Sequence, residues 1–575
     1  MTTIGATSPE LSPRWPAGLP TSLDYPDVPV GAILAGAARR WGDRTALHYA
    51  GRDISYTELA REAARFAHGL IARGIGPGDV VALHLPNLPQ FPIAYYGTLL
   101  AGATFSPCNP LLPAGELAFQ LADCGAVAVV TLDFVAAPLA EALGRTNVKT
   151  VVVAGLVDGP VDIKGLCDGA FAEVGVDFGE IGAGRPDDFP SVGIDTSSPA
   201  HIAYTGGTTG RSKGVMLPHR NAVVSSLQYA CVGSGSVPAL DDRGGVVLDQ
   251  IGSEEEYPSR LGTGVIVSVA PWFHAMGTIG YLNRLLLLGS TIVVHPRLDV
   301  PAFLADMEKF RATDLGGAPA LFSAVFADPT FDTRDLSSVR AISSGAAPLS
   351  VEMLKRLNAK FPDAVVVEAY GLTEVTMGAT SNPAARSAER RLGTVGLPVF
   401  DTQIKIVGVD EETVDDATPG LPAGEEGEVC IKGPQVMTGY LDRPEETAAV
   451  LGADGWLRTG DIGTLDGDGY LAIVDRKKDM LIYNGYNVYP RELEEILFTH
   501  PAVVNAAVVG KPDPAAGELA TAFVVRSGDV TEEDLIAFVN AEVVHYKRLR
   551  ALRFVDEIPV SAAGKVLKRD LRERL

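Results

Sequence analysis

Residues 204–218 read YTGGTTGRSKGVMLP, a segment rich in glycine and threonine with a single lysine, Lys213. The flanking segments HIAYT and GVML are strand-like, and Pro218 closes the second one, so the glycine-rich part is predicted to join two strands. Its backbone N–H groups, threonine hydroxyls and ammonium group are donors that bind a polyphosphate. We therefore predict a phosphate-binding loop carried on a β-sheet.

Two other interpretations of this loop fail on context. A Walker loop has the pattern G-x-x-x-x-G-K-[ST] followed at once by a helix, whereas Lys213 lies between Ser212 and Gly214 and a strand follows. Residues 210–214 do match the serine-hydrolase pattern G-x-S-x-G, but that elbow needs a helix directly after the serine. A flexible hairpin tip would explain the glycines and leave the threonines and the lysine unexplained.

The composition is that of an acidic globular protein. Of its 575 residues 46% are hydrophobic and 21% are charged, and 71 acidic residues against 48 basic ones give a net charge of -23. Such a surface repels nucleic acid, and no dense basic run offsets it. An anionic substrate would need a locally positive pocket.

The cysteines are scattered, odd in number and without a C-x-x-C pair, so neither a disulfide framework nor a zinc site is predicted. Glu10, Pro13 and Pro16 stand where a signal peptide would have its apolar core, so secretion is not expected. We expect a cytoplasmic protein with reduced thiols. These thiols belong to Cys108, Cys124, Cys167, Cys231 and Cys430.

The uncharged residues 261–283 are long enough to suggest a membrane helix. Pro271, His274 and several glycines interrupt them. We predict instead a buried strand at 265–270 and then a loop at PWFHAMG. No transmembrane segment is expected.

Elsewhere the sequence alternates between helical and strand patterns. SYTELAREAARFAHGLIARGI is helical, and Ser55 and Glu58 have the spacing of a capping box at its start. Short apolar strands such as VVALHL, AVAVVTL and TVVVAGL alternate with helices, as in parallel sheets. The acidic, glycine-rich residues 231–262 are predicted to be a mobile surface insertion.

The pattern changes toward the C-terminus. GYLAIVDRKKDMLIYNGYNVYPRELEEIL predicts a strand, a charged joint, a hairpin and a helix opened by Pro490. Two strands, a helix capped by Thr531 and a basic segment follow. The predicted fold class is α/β, with a large N-terminal domain of mixed sheets flanked by helices and a small, mobile α+β C-terminal domain. We predict that these domains span 1–475 and 480–575, with a hinge at 476–479.

The segment YTGGTTGRSKGVMLPHRN resembles the signature loop of the adenylate-forming superfamily, which includes acyl- and aryl-CoA synthetases, luciferases and peptide-synthetase adenylation domains. The similarity extends over nearly the whole chain, through further motifs in the family's order. They are PWFHAMG (271–277), SSGAAPLS (343–350), EAYGLTE (368–374), GTVGLP (393–398), GWLRTGD (455–461), VDRKKDM (474–480), GYNVYPRELE (485–494) and PVSAAGKVLKR (559–569). The chain looks most like bacterial medium- and long-chain fatty acid–CoA ligases.

The resemblance implies a reaction in two steps. A carboxylate attacks the α-phosphate of Mg-ATP to give acyl-AMP and pyrophosphate, and a thiol, usually that of coenzyme A, then displaces AMP. ATP, Mg²⁺ and coenzyme A are therefore the implied substrates and cofactor. Because the first step brings an anion to a polyanion, cations and oriented N–H dipoles must offset the repulsion.

The resemblance also implies which residues bind the nucleotide. Lys213 and its loop would hold the β- and γ-phosphates, and Tyr370 would lie against the adenine. Asp461 would accept the ribose hydroxyls, and Arg476 would contact ribose or phosphate. The full set implied for ATP or AMP is Thr205, Gly206, Gly207, Thr208, Thr209, Gly210, Lys213, Gly345, Ala346, Ala347, Glu368, Ala369, Tyr370, Gly371, Thr373, Asp461, Arg476 and Lys565.

The catalytic residues implied by the family are Lys565, His274, Glu374 and Thr373. Lys565 would bridge the substrate carboxylate and the α-phosphate, and Thr373 would contact the α-phosphate. Glu374, with Thr205, would hold Mg²⁺, because a hard carboxylate oxygen suits that ion and leaves its other sites to water and phosphate.

In the family, the histidine that matches His274 lines the carboxylate end of the acyl pocket. The implied acyl pocket consists of His274, Met276, Gly280, Gly317, Ala318 and Ala369. Gly485 and Tyr486 would face coenzyme A. Because Lys565 and this hairpin would serve different half-reactions from one small domain, that domain must rotate, and we place its hinge at Lys478.

One departure from the family bears on the substrate. Luciferase-like relatives and some aryl-CoA ligases carry a lysine where this chain has Ile482, which argues against a luciferase-like mechanism and favours the fatty acyl branch. We predict a fatty acid–CoA ligase whose partners are a fatty acid, ATP and coenzyme A, without nucleic acid and with a homodimer left open.

Other functions are retained as alternatives. The first is an aryl-CoA ligase of the 4-coumarate type, and the next is a fatty acyl-AMP ligase that loads a carrier protein, which the insertion 233–262 would support. A non-catalytic nucleotide-binding protein would not need Glu374, Asp461, Arg476 and Lys565 together.

Overall fold

The structure is a computed structural model, and it describes residues 14–156, 159–205, 211–346, 349–484, 486–560 and 566–575. Some residues implied for the site lie outside the described residues. They are Gly206, Gly207, Thr208, Thr209, Gly210, Ala347, Gly485 and Lys565.

The second helix begins as its sequence predicts, because Ser55 Oγ accepts a hydrogen bond from the Glu58 N–H at 3.1 Å. The α-helices are α1 (Gly31–Trp41), α2 (Tyr56–Ile71), α3 (Gln90–Leu100), α4 (Ala114–Asp123), α5 (Ala136–Ala142), α6 (Phe178–Ile181), α7 (His219–Ser234), α8 (Arg284–Leu288), α9 (Val300–Lys309), α10 (Pro319–Ala327), α11 (Val351–Lys360), α12 (Pro444–Ala448), α13 (Pro490–Phe498), α14 (Glu532–Glu542) and α15 (Lys568–Arg572).

The first strands along the chain are β1 (Thr45–Tyr49), β2 (Arg52–Ser55), β3 (Val80–His84), β4 (Thr104–Pro107), β5 (Ala126–Leu132), β6 (Thr150–Ala154), β7 (Gly175–Asp177), β8 (Pro199–Thr205) and β9 (Lys213–Pro218). The next are β10 (Ser236–Leu240), β11 (Val246–Gln250), β12 (Val265–Ser268), β13 (Thr291–Val294), β14 (Asp314–Gly317), β15 (Ala341–Ser344), β16 (Val365–Tyr370), β17 (Thr380–Ser381), β18 (Leu397–Pro398) and β19 (Gln403–Val407). The last are β20 (Gly427–Lys432), β21 (Gly439–Tyr440), β22 (Leu457–Leu465), β23 (Leu471–Arg476), β24 (Leu481–Tyr483), β25 (Tyr486–Val488), β26 (Val503–Asp513), β27 (Gly517–Arg526) and β28 (Ala551–Phe554).

Two large sheets build most of the N-terminal domain. One has the order β21-β9-β8-β4-β3-β5-β6-β7, and the other has the order β18-β17-β16-β15-β14-β12-β13-β1-β2. Strands β3, β4, β5 and β6 pair in parallel, as predicted. One hydrophobic cluster contains residues of both sheets, such as Val81 and Ile266, and residues of α1, α2 and α3. These helices therefore lie between the sheets.

A smaller C-terminal domain follows a change of sheet. The antiparallel sheet β19-β20-β22-β23 ends at Arg476, and a separate sheet, β25-β24-β27-β26 with β28 beside β27, begins at Leu481. The predicted hairpin is β24–β25, and the predicted helix α13 has Pro490 in its first turn. Thr531 caps α14 by accepting a hydrogen bond from the Asp534 N–H at 3.1 Å.

Residues 231–262 are not the mobile surface insertion that the sequence predicted, because they contain the hairpin β10–β11. Val246 and Leu248 of this hairpin are buried in the main core. Arg39 of α1 donates two hydrogen bonds to Asp241, at 2.7 and 2.8 Å. The prediction was wrong because it weighted the glycines and acidic residues and missed the strand pattern of VVLDQ.

The strand predicted at 265–270 is β12, which ends at Ser268. The loop after it leads into a π-helix, Met276–Asn283, which the sequence did not predict. Among the described residues, no helix is long and apolar enough to cross a bilayer.

Candidate active site

The predicted phosphate loop joins β8 to β9. These strands pair antiparallel with Thr205 opposite Lys213. The two ends of the loop are therefore neighbours at the end of this strand pair. The Lys213 ammonium lies 2.7 Å from Glu446 Oε2 and 4.6 Å from the centre of the Tyr440 ring. Ser212 Oγ donates to the Thr205 carbonyl oxygen across the base of the loop. This serine therefore closes the hairpin, and the contact lends no support to a hydrolase nucleophile.

Three residues implied for the adenosine lie together. Tyr370, the last residue of β16, donates a hydrogen bond to Asp461 Oδ2 at 2.6 Å. Asp461 and Arg476 are paired across β22 and β23, with Arg476 Nε 3.6 Å from Asp461 Oδ1. Burial and the neighbouring Asp461 carboxylate raise the pKa of Tyr370 well above its usual value. The phenol therefore stays protonated and donates a hydrogen bond to the carboxylate.

Glu374 lies in the short turn Thr373–Val375 that follows this strand, next to Thr373. Its Oε1 accepts a hydrogen bond from the Tyr440 hydroxyl at 2.9 Å. Beside it is a cavity of about 230 Å³. The cavity is lined by Leu372, Glu374, Glu428, Tyr440, Ala449, Val450, Leu457, Arg458, Thr459, Gly460 and Lys477.

Glu374 presents a hard carboxylate oxygen, the kind of ligand that magnesium takes. In the described part of the chain, no group of three or more His, Cys, Asp or Glu side chains is placed to hold a metal ion. Magnesium is commonly held by one or two carboxylates with phosphate and water in its other positions. Glu374, whose Oε1 is engaged by Tyr440, offers its second oxygen for such a role.

Gly345 and Ala346, implied for ATP or AMP, are next to residues implied for the acyl pocket. β15 and β16 run in parallel, so Gly345, directly after β15, lies beside Ala369. A Cβ placed on Gly345 would lie 3.6 Å from Met276 Sδ and 3.7 Å from the Ala369 carbonyl oxygen. Ala346 has a φ of 67°, in the left-handed region. A Cβ at Gly371 would collide with backbone atoms of residue 377, so only glycine fits there.

Glu368, implied for nucleotide binding, is turned into the protein. It is buried, and its Oε1 accepts a hydrogen bond from the Leu349 N–H at 3.4 Å. Burial raises the pKa of Glu368 to about 7. The carboxyl group is therefore held against the backbone N–H of Leu349.

His274 has an unsatisfied ring nitrogen. Its Nε2 is buried and has no hydrogen-bond partner among the described residues. Burial lowers the pKa of His274 to about 4, so the ring is neutral near pH 7. A neutral imidazole nitrogen of this kind can exchange a hydrogen bond with a ligand that reaches it.

The π-helix carries Met276 and Gly280. A Cβ placed on Gly280 would lie 2.9 Å from Met377 Sδ, so a methionine that the sequence reasoning missed fills the space beside this glycine. Tyr281, the next residue of the π-helix, has its hydroxyl 3.0 Å from Ser343 Oγ.

The structure does not bring Gly317 to the π-helix that carries the acyl-pocket residues Met276 and Gly280. A Cβ placed on Gly317 would lie 2.8 Å from Leu321 Cδ2 of α10, whereas one on Gly316 would meet the Tyr281 hydroxyl. Successive residues of a strand face opposite sides of the sheet, so Gly316 and not Gly317 faces the π-helix. Ala318 occupies the N-cap position of α10, without a capping hydrogen bond from its side chain.

The joint between the domains is anchored on both sides. The Lys477 ammonium lies 3.0 Å from Glu428 Oε2, and Arg458 lies 2.7 Å from the same oxygen. Beyond Lys478, which is exposed, Asp479 Oδ1 accepts a hydrogen bond from Arg572 of α15 at 2.8 Å.

A family model for AMP-binding enzymes matches residues 34–441, and a model for the C-terminal domain of AMP-binding enzymes matches residues 492–565. This chain belongs to that family. The long-chain-fatty-acid–CoA ligase of Bacillus subtilis is 33% identical over 97% of each chain. The 4-coumarate–CoA ligase 2 of Nicotiana tabacum is 35% identical over 91% of this chain and 89% of its own.

A solved relative has the same architecture. ATP-bound MatB from Rhodopseudomonas palustris has a TM-score of 0.80 at 29% identity, covering 95% of this chain and 98% of that one. The protein is therefore an adenylate-forming CoA ligase, an AMP-forming acyl-CoA synthetase with a large N-terminal and a small C-terminal domain.

In this synthetase Tyr486, implied for coenzyme A, lies at the surface of the small domain. Tyr486 is 56% exposed, and its ring stacks on Tyr546 with centroids 4.7 Å apart. Both tyrosines belong to the C-terminal part of the chain.

Sequence reasoning missed several residues that the structure places in the site. Tyr440 lies in a two-residue strand and Met377 follows a tight turn, and neither has a local signal. Glu428 does have one, because an acidic residue within the apolar strand GEVCIK is expected to need a buried partner. Its partners, Arg458 and Lys477, come from distant parts of the sequence.

Proposed function

We propose that this synthetase is a medium- to long-chain fatty acid–CoA ligase, which converts ATP, a fatty acid and coenzyme A into acyl-CoA, AMP and pyrophosphate through an acyl-adenylate. The observation that carries the proposal is the unsatisfied nitrogen of His274 next to an apolar cluster that includes Met276 and Met377. A fatty acid needs one polar contact for its carboxylate and deformable apolar walls for its chain, and methionine provides such walls. The similarity to the Bacillus subtilis ligase supports the same substrate class.

In the adenylation step, the fatty acid carboxylate would attack the α-phosphorus of ATP while pyrophosphate leaves. His274 would donate to one carboxylate oxygen, and Lys565 would bridge the carboxylate and the α-phosphate. Lys213 would hold the outer phosphates. Glu374 and Thr205 would hold Mg²⁺, which neutralises phosphate charge as the bond to pyrophosphate breaks.

The adenosine would be held by the group that already lies together. Asp461 would accept ribose hydroxyls with Oδ1 and share Oδ2 with Tyr370, whose hydroxyl is 2.6 Å away. This bond keeps the Tyr370 ring in place as the surface for the adenine. Arg476, 3.6 Å from Asp461 Oδ1, would contact the ribose or the α-phosphate.

In the second step, the thiolate of coenzyme A would attack the acyl carbonyl and AMP would leave. We propose that the small domain turns about Lys478 between the steps, with domains of 1–475 and 480–575 and a hinge at 476–479. The exposure of Tyr486 in the present arrangement and the change of sheet between β23 and β24 support this division.

An aryl-CoA ligase of the 4-coumarate type is a second candidate. The hydroxyls of Tyr281 and Ser343, 3.0 Å apart, could accept a phenolic substituent beside Gly316. The fatty acyl-AMP ligase alternative has lost its main support, because the acidic segment packs against α1 as a hairpin.

The test is an assay of pyrophosphate release with the purified protein, over acids from C4 to C18 and cinnamates, with and without coenzyme A. We expect release that depends on the acid and on Mg²⁺, highest with C8 to C18 acids, and AMP as the nucleotide product. Highest turnover with cinnamates would favour the second candidate. Formation of ADP would rule out adenylation.

We also propose a cytoplasmic location. The free thiols of Cys108, Cys124, Cys231 and Cys430 are buried, which is typical of proteins from reducing compartments. Fractionation of the native cells tests this, and recovery from a secreted fraction would contradict it.

A further inference from the structure

Tyr440 lies between two groups that the proposed function assigns to the polyphosphate of ATP. β21 pairs with β9 so that Tyr440 lies opposite Val215, and the Leu441 N–H donates to the Gly214 carbonyl oxygen at 2.8 Å. Only 7% of Tyr440 is exposed. The sheet therefore fixes the aromatic ring beside the start of β9, where Lys213 is.

The Tyr440 hydroxyl orients Glu374. It donates to Glu374 Oε1 at 2.9 Å. The backbone nearby is tied to the same residue, since the Met437 N–H donates to the Glu374 carbonyl oxygen at 2.8 Å. A carboxylate with one oxygen held by a neighbour presents the other in a defined direction, which is how groups around a metal ligand tune its binding.

The Tyr440 ring positions Lys213. The ammonium lies 4.6 Å from the ring centre, within the range of a cation–π contact. The Lys213 side chain is one-third exposed and also lies 2.7 Å from Glu446 Oε2. A phosphate oxygen can replace Glu446 as the anion, while the attraction of the ring for the ammonium persists.

We infer that Tyr440 is a positioning residue for adenylation, which sets the spacing between the Glu374 carboxylate and the Lys213 ammonium for the magnesium-bound end of ATP. The inference rests on the proposed function. Pyrophosphate would leave before the thiol attacks, so the second half-reaction would not need Tyr440.

Two substitutions separate the two contacts. Tyr440→Phe removes the hydroxyl bonded to Glu374 and keeps the ring under Lys213, whereas Tyr440→Leu removes both. Tyr470 offers a matched control, because it is buried, its hydroxyl donates to the Glu389 carbonyl oxygen at 2.6 Å and the Arg391 guanidinium lies 4.6 Å from its ring centre. Tyr470→Phe and Tyr470→Leu make the same chemical changes away from the phosphate loop.

The first readout is equilibrium binding of α,β-methylene-ATP, measured by calorimetry with Mg²⁺ and with EDTA in its place. For Tyr440→Phe we expect about a ten-fold loss of affinity in Mg²⁺ and no change in EDTA. For Tyr440→Leu we expect a further loss of about five-fold that is also present in EDTA, because Lys213 has lost its support. The Tyr470 variants should bind as the unaltered protein does.

The second readout is the rate of acyl-CoA formation from supplied acyl-AMP and coenzyme A, which should stay within about two-fold in both Tyr440 variants. Unchanged Mg²⁺-dependent binding in Tyr440→Phe would overturn the inference. So would an equal loss of both half-reactions, because it would mean that Tyr440 only supports the fold. If the unaltered protein adenylates no acid, the proposed function fails, and the binding comparison still tests Tyr440.

Discussion

Lys477 and Asp479 are two residues apart in the chain and are held by different domains. Lys477 forms an ion pair with Glu428 of the large domain, whereas Asp479 accepts a hydrogen bond from Arg572 of the small one. The residue between these anchors, Lys478, is exposed. A change of its φ and ψ would turn one domain against the other without breaking either anchor.

Substitution of Lys478 should therefore unbalance the two half-reactions. Proline fixes φ near about -65° and restricts the residue before it, so Lys478→Pro should favour one arrangement of the domains. We expect it to slow one half-reaction at least ten-fold more than the other, measured as acid-dependent pyrophosphate release and as conversion of supplied acyl-AMP. Lys478→Ala is the control and should leave the ratio nearly unchanged. If Lys478→Pro left both half-reaction rates unchanged, the hinge would have to lie elsewhere in the chain.

Lys565 should be needed for one half-reaction only. If its ammonium bridges the carboxylate and the α-phosphate, Lys565→Ala should lose acyl-AMP formation by a factor of about 100 or more, since each such contact is worth roughly 4 kcal/mol before desolvation. The same variant should still convert supplied acyl-AMP and coenzyme A to acyl-CoA. Equal loss of both activities in a folded protein would show that the lysine acts structurally and would contradict domain alternation.

The space beside Gly280 should set the length of the acid. Gly280→Trp would displace Met377, whose Sδ lies 2.9 Å from the position of a Cβ, and fill the pocket. We expect turnover of C16 acids to fall at least ten-fold relative to C4. Met377→Ala should have the opposite effect, because it enlarges the same space. Binding of Mg-ATP reports whether each variant is folded, and an unchanged chain-length profile in both would mean that the pocket is misassigned.

Buried histidines should make the fold sensitive to acid. Burial lowers the pKa of His84, His219 and His274 to about 4 and that of His201 to about 3. The unfolded chain takes up these protons at a higher pH than the folded chain does. The free energy of unfolding should therefore be highest above a pH of about 6.5 and fall as the pH drops from there toward 4. Each site contributes about 1.4 kcal/mol per pH unit in that window.

The acid effect can be measured by urea unfolding at two pH values, 7 and 5. His84→Gln should reduce the difference between them by about 2 kcal/mol. His84 suits this test because it contacts Thr131 and lies outside the proposed site. His68→Gln is the control. The ring of His68 forms a hydrogen bond with the Asp188 carbonyl oxygen near the surface. A free energy of unfolding that is the same at both pH values would contradict the prediction.

Local signals predicted the parts of the structure that depend on neighbouring residues. The hairpin around Thr205 and Lys213, the cap at Ser55 and the start of α13 at Pro490 each follow from a few adjacent side chains and their backbone preferences. The hairpin at 236–250 was missed because its burial depends on α1, more than 200 residues earlier.

The site itself could be predicted only through the family resemblance. The contacts between its side chains could not be predicted from the sequence. Tyr440 and Glu374 are 66 residues apart, and nothing local links them. The choice between Gly316 and Gly317 depends on strand register, where a shift of one residue reverses the face. Met377 reaches Gly280 by packing between distant segments, which depends on the assembled core.

The position of β1 between β13 and β2 bears on how the chain emerges from the ribosome. The Thr291 hydroxyl of β13 donates a hydrogen bond to the Thr45 carbonyl oxygen of β1, and these two residues are 246 positions apart in the chain. At a synthesis rate of roughly 5–20 residues per second, β1 waits roughly 10–50 s for its partner. During that time one edge of the β1–β2 hairpin is unpaired and can pair with another chain. Nascent chains that end before β13 therefore expose an unpaired strand edge that a chaperone could protect.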